Sequence, residues 1–323
     1  MLFQNLSREI LKRILCYLTS EEICRSLIGL TKNIDDIIQD YPMNIFCLSK
    51  MKPFERYSFR CRMLILTGSD LCLFQKISSH WNLQSLRTIL LRKMNGLILY
   101  SFLKILPIEQ LRTIIIKRLT WFYYPNEFYS EIWSNFIKRL NSDHLQYLSL
   151  PFHICHWRKE HSLNLFFNLE SLTLEYISSN QMLELVNNTP NIQQLKVSLA
   201  QWHKALVQSK VILRKLSYLE LTLYDNWSLQ EIEHIIRMCP YVQYLIVKLE
   251  VCDEVVTEVF EPNAWQRLIE EKLTGLISLY LQINHITSRE YEENRFDQNE
   301  YWNRRKPKFQ VTIKHIRRLE KFF

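Results

Sequence analysis

The amino-acid sequence predicts an α/β protein, with three short helices at the N-terminus followed by a curved solenoid of repeated strand–helix units. Three observations carry that prediction. An apolar residue followed by x-x-L-x-L, with Ile or Val in some leucine places, recurs eight times between residues 86 and 281. Amphipathic helical stretches lie between the copies. The first forty-five residues carry capped helical patterns and no copy of the repeat. The expected organisation is a helical domain over residues 1–45 and a solenoid over 46–323, with a polar insertion near 286–308.

The N-terminal helices come first in the chain. Ser7 is placed to cap a helix that begins at Arg8, and Ile10, Leu11, Ile14, Leu15 and Leu18 then form an apolar stripe. Thr19-x-x-Glu22 has the form of a capping box for a second helix carrying Ile23 and Leu27. A third helix is predicted from about Thr31, with Ile34, Ile37 and Ile38 inside, stopping before Pro42. Three helices of this size bury little apolar surface alone. The remainder must meet the solenoid or a partner.

The repeat reads LRTILL from Leu86, LRTIII from Leu111, LQYLSL from Leu145 and LESLTL from Leu169. It continues as IQQLKV from Ile192, LSYLEL from Leu216, VQYLIV from Val242 and LISLYL from Leu276. Most spacings fall in the roughly 20–29 residues of leucine-rich repeats, and two longer ones imply insertions. Alternate apolar positions share one face of a short strand. Between strands, Met182, Leu183, Leu185 and Val186 share a helical face that Pro190 ends. Leu229, Ile232, Ile235 and Ile236 form another, with Ser228 as N-cap and Pro240 as stop; Trp265, Leu268, Ile269 and Leu273 form a third. A doubly wound α/β domain is the competing arrangement. Regular spacing and the lack of glycine-rich switch-point loops favour the repeat.

Residues between the buried leucines point to the other side of the sheet, the concave side of a leucine-rich solenoid. The position before the second leucine is Thr88, Thr113, Tyr147, Ser171, Gln194, Tyr218, Tyr244 and Ser278. The next outward position is Leu90, Ile115, Ser149, Thr173, Lys196, Glu220, Ile246 and Tyr280. Tyrosine among small polar neighbours suits protein recognition. The candidate target-binding residues are Tyr147, Gln194, Lys196, Tyr218, Glu220, Tyr244, Ile246 and Tyr280.

Composition narrows the function classes. Only Gly29, Gly68, Gly96 and Gly275 are glycines, widely separated, so no phosphate-cradling loop, dinucleotide fingerprint or nucleophile elbow is present. The cluster His153, Cys155, His156 and His161 resembles a zinc site in residue type, but its order matches no standard knuckle, and a solvated loop is expected. A metal-dependent hydrolase built on that cluster is the enzyme alternative. No catalytic residue, metal or cofactor is otherwise predicted. Eight scattered cysteines without a C-x-x-C pair fit a reducing compartment, cytoplasmic or nuclear. Arg8, Glu9, Lys12 and Arg13 interrupt any apolar leader, and no run is long enough to span a bilayer. Residues 1–120 hold 18 Lys or Arg against 9 Asp or Glu, which points to an acidic partner there. NRRKPK at 303–308 is expected to be a solvated charged loop.

The stretch LSREILKRILCYLTSEEICRSL, continued by LTKNIDDII, resembles the F-box, over residues 3 to about 40. Leu6, Glu9, Ile10, Ile14, Leu15, Leu18, Ile23 and Ile34 stand where that motif has its matching residues, and Ser7 stands where it has proline. With the repeats that follow, the chain is similar to the F-box/leucine-rich-repeat class in its divergent invertebrate form. The resemblance implies the receptor subunit of an SCF-type ubiquitin ligase, which does no bond chemistry itself. Its implied partners are a Skp-type adaptor, the cullin scaffold and a protein target. Leu6, Ser7, Ile10, Leu11, Ile14, Leu15, Leu18 and Ile23 would be the adaptor-binding residues. No nucleic acid, membrane or self-association is expected. The alternative is a leucine-rich-repeat scaffold with no ligase link.

Overall fold

The computed structural model describes residues 6–18, 22–23, 26–27, 30–40, 42–47, 60–78, 83–120, 136, 139–140, 143–151, 166–201, 211–224, 227–252, 257–287 and 295–317. The chain divides into two compact units, Met1–Pro151 and Phe152–Phe323.

The first unit opens with α1 (Arg8–Leu15) and α2 (Lys32–Asp40). It continues with β1 (Pro42–Cys47), β2 (Arg60–Thr67), α3 (Leu71–Ser78), β3 (Thr88–Asn95), α4 (Gly96–Ile105), β4 (Thr113–Thr120) and β5 (Tyr147–Pro151). Its five strands pair in parallel and in sequence order. The second unit runs β6 (Ser171–Ser178), α5 (Ser179–Asn187), β7 (Gln194–Gln201), β8 (Tyr218–Leu223), α6 (Leu229–Arg237) and β9 (Tyr244–Cys252). It ends with α7 (Pro262–Lys272), β10 (Ser278–Thr287), α8 (Arg295–Gln298), α9 (Glu300–Arg305) and β11 (Phe309–Arg317). Its six strands are likewise parallel and in sequence order. The fold is therefore α/β, as expected, with parallel strands alternating with helices.

The leucine pattern sets the strands. Each of the eight expected strands begins at the residue before its second leucine, from Thr88 to Ser278. In β8 the alternation is complete: Leu219, Leu221 and Leu223 are fully buried, and Tyr218, Glu220 and Thr222 face outward, half-buried. The intervening helices close the other side of that core. Met182, Leu183, Leu185 and Val186 of α5, Leu229, Ile232, Ile235 and Ile236 of α6, and Trp265, Leu268 and Ile269 of α7 are all buried, as is Leu273 beyond it. Capping boxes start two of these helices. Ser178 Oγ accepts from the Gln181 amide at 3.3 Å, and Ser228 Oγ from the Glu231 amide at 3.2 Å.

Three strands lie outside the predicted set. β1 opens at Pro42, and β2 carries Cys61 where the eight copies have leucine, isoleucine or valine; Cys61 is fully buried. β11 has Lys306 at the corresponding position, so no apolar residue announces it. The polar insertion contains α8 and α9, anchored by fully buried Phe296 and Trp302. Their rings meet edge to face at 5.0 Å, and Trp302 Nε1 donates to the Pro262 carbonyl at 3.3 Å. Residues 303–308 are solvent-exposed, as expected, but 303–305 form the last turn of α9 rather than a loop, with Lys306 beyond it paired to Asp297 at 3.1 Å.

Close backbone approach requires glycine at one point. A Cβ on Gly68 would lie 2.7 Å from the Lys93 carbonyl oxygen, and Lys93 itself takes a left-handed conformation, φ 51°.

At the N-terminus Ser7 Oγ accepts from the Ile10 amide at 3.4 Å, and Thr31 Oγ1 from the Ile34 amide at 3.3 Å. Glu22, Ile23 and Ser26 are helical, in keeping with a second helix, while Thr19 lies outside the described residues. Leu11, Leu15, Ile23, Leu27, Ile34, Ile37 and Ile38 are buried, so these helices share an apolar core.

Candidate protein-binding faces

Register builds the first face. Parallel pairing sets Gln194 beside Tyr218, Tyr218 beside Tyr244, and Tyr244 beside Ser278. One step along the strands, Thr173, Lys196, Glu220, Ile246 and Tyr280 form the second row. Adjacent strands stand about 4.8 Å apart, so each row is continuous in space. Tyr244 is exposed, and Tyr218, Glu220, Ile246 and Tyr280 are half-buried.

Glu220 is the hub of this face. Its carboxylate accepts from Lys248 Nζ at 2.6 Å and from the Tyr218 hydroxyl at 3.0 Å, and pairs with Lys196 Nζ at 3.3 Å. Lys196 Nζ also lies 5.3 Å from the centre of the Tyr218 ring, within cation–π range. Burial pushes the Glu220 carboxyl up, but the hydrogen bonds from Lys248 and Tyr218 and the two lysine charges outweigh it. Its pKa lies below the ordinary value. Burial, together with the Glu220 hydrogen bond and charge, pushes the Tyr218 phenol up to about 12. Tyr218 is therefore a neutral donor held in one direction. Tyr280 donates to Gln282 at 3.2 Å, and Gln282 to Asn284 at 2.9 Å, so β10 carries its own polar chain. These groups are suited to hydrogen bonding and ion pairing.

Lys248 and Gln282 were not among the sequence candidates. They sit in a third outward row, two residues beyond Ile246 and Tyr280, and continuing the same alternation by one step would have found them.

The outward row is not open everywhere, contrary to expectation. Leu90 is only 4% exposed, because Ile65 and Ile115 stand beside it on the paired strands and the three cover one another. Ser149 and Ser171 are buried as well, while Tyr147 is half-buried.

The N-terminal helices present the second face. Of the residues expected there, Leu11, Leu15 and Ile23 are already buried within the chain. Ile10 is 48% exposed, Leu6, Ile14 and Leu18 are half-buried, and Ser7 is exposed. Tyr17, just after α1, and Leu30, just before α2, are further exposed apolar side chains. The stripe is thus divided between an inner edge that packs and an outer edge that does not.

The His153, Cys155, His156 and His161 cluster lies outside the described residues. Among the described residues no group of three or more His, Cys, Asp or Glu side chains is arranged to hold a metal ion. No helix among them is long and apolar enough to cross a membrane. No protein-family model matches the chain, and no curated protein matches it in sequence.

Proposed function

We propose that this chain is the substrate-receptor subunit of an SCF-type ubiquitin ligase. In this reading the N-terminal helices are an F-box that docks to a Skp-type adaptor, and through it to the cullin scaffold. The strand–helix units are leucine-rich repeats of a curved solenoid, and their outward sheet face is the concave surface that holds a target protein. The chain acts by approximation, placing the target near a ubiquitin-charged enzyme. It has no covalent step of its own. The observation that best supports the reading is the division of labour between two faces. Ile10, Ile14, Leu18 and Leu6 leave apolar surface on a helix pair whose inner edge is already packed. Tyr218, Tyr244, Tyr280 and the Lys196–Glu220–Lys248 group form a tyrosine-rich polar face on another part of the chain.

Affinity capture from cells separates the two roles. Ile14→Asp places a carboxylate against the adaptor, so it should lose adaptor and cullin yet keep target proteins. Tyr218→Ala with Tyr244→Ala should do the reverse, since tyrosine hot spots contribute about 2 kcal/mol or more each. Targets captured by wild type without any adaptor or cullin would leave the chain a scaffold with no ligase link.

A further inference from the structure

The first unit carries a feature that the repeat produces but the linear sequence hides. Arg62, Arg87 and Arg112 lie 25 residues apart; Arg62 is the third residue of β2, and Arg87 and Arg112 immediately precede β3 and β4. The Arg87 amide donates to the Arg62 carbonyl at 2.9 Å, and the Arg112 amide to the Arg87 carbonyl at 2.8 Å. The three residues are therefore stacked in one row at the strand starts, about 4.8 Å apart. All three side chains are exposed. Arg87 donates to the carbonyls of Gln84 and Leu86 at 2.9 and 3.0 Å, and no carboxylate among the described residues pairs with any of the three. Like charges side by side on neighbouring strands repel, so the row is not explained by stability. The matching row of the second unit is Glu170, Gln193, Ser217, Gln243 and Ile277, so the strand geometry does not impose arginine.

We infer that this arginine row binds an acidic protein segment, a run of Asp or Glu laid across the strand starts. Guanidinium groups take carboxylates bidentately, and three in line match a linear polyanion. Carboxylates are favoured over nucleic-acid phosphates because Gln146, which continues the row by donating its amide to the Arg112 carbonyl at 2.8 Å, offers no ring for base stacking. The inference does not depend on the ligase reading, since the row lies on the strand starts and not on the N-terminal helices.

Fluorescence anisotropy with a labelled oligoglutamate peptide tests it, using the whole purified chain at low salt. Arg62→Gln with Arg112→Gln should weaken binding about tenfold, in line with two lost exposed ion pairs. Arg92→Gln with Lys117→Gln removes the same charge from the opposite end of β3 and β4 and should leave affinity nearly unchanged. The melting temperature of the first variant should not fall. If it fails to fold, the single Arg112→Gln variant gives the same readout. Equal loss in both double variants, full affinity in a folded Arg112→Gln chain, or no peptide binding by wild type would each overturn the inference. So would tighter binding of a labelled oligodeoxythymidine lost in the same variant, which would make the partner a nucleic acid.

Discussion

At Glu220 burial and charge act in opposite directions, and the balance has a measurable sign. Its pKa in the folded chain is lowered, because Lys248, Tyr218 and Lys196 favour the ionised form more than burial disfavours it. A carboxyl lowered on folding contributes stability that is present above its unfolded pKa. That contribution is lost as pH falls through the folded value. Glu220→Gln should therefore destabilise the chain at neutral pH and flatten the acid limb of its stability curve below the ordinary glutamate pKa. Melting temperature followed across that range checks it; parallel wild-type and variant curves would mean the carboxylate is not held as described. The phenol of Tyr218 provides an independent probe. It should ionise near pH 12 in wild type, and lower once Glu220 no longer accepts its proton bond, by ultraviolet difference titration. Lys196 and Glu220 were legible in the sequence through strand alternation. The pairing of Glu220 with Lys248 was not, because it joins residues 28 apart in sequence whose contact depends on register.

Elements were legible to the extent that their packing is periodic. Leucines alternating on a strand and apolar faces on a helix fixed β3 to β10 and the faces of α5, α6 and α7, since burial demands that pattern of any sequence in this place. Ser7, Thr31 and Ser228 marked helix starts because a side-chain oxygen must satisfy an otherwise unbonded amide. β2 escaped because Cys61 replaces the leading leucine, although a buried thiol fills the same apolar place, its pKa pushed up to about 12 by that burial. β11 escaped because its leading position is Lys306, and its anchor is a pair of side chains on α8 and α9 within an otherwise polar stretch. Trp302 is the larger of the pair, its ring centre 5.0–5.9 Å from those of Phe296, Tyr301 and Phe309. Trp302→Ala should cost about 3–5 kcal/mol, as for other large aromatic truncations in a core. Hydrogen exchange of the β11 amides should accelerate most; uniform acceleration across β6 to β11 would mean that this end does not open on its own.

For the whole molecule, the repeat accounts for the strand order and for the rows it creates. Side chains far apart in sequence become neighbours by register: tyrosines and a Lys–Glu–Lys group in the second unit, arginines in the first. The tyrosine and Lys–Glu rows follow from the alternation within the repeat, whereas the arginine row emerges only from the strand pairing. The proposal makes one demand on the intact chain, that its N-terminal helices recognise a Skp-type adaptor although Ser7 replaces the motif's proline. Isothermal titration of the purified chain with a purified adaptor measures this directly. The account predicts one-to-one binding at micromolar affinity or tighter, about −8 kcal/mol or more favourable, abolished by Ile14→Asp. A correctly folded wild-type chain that gives no binding heat at any temperature tried, and no complex by size-exclusion chromatography, would contradict it.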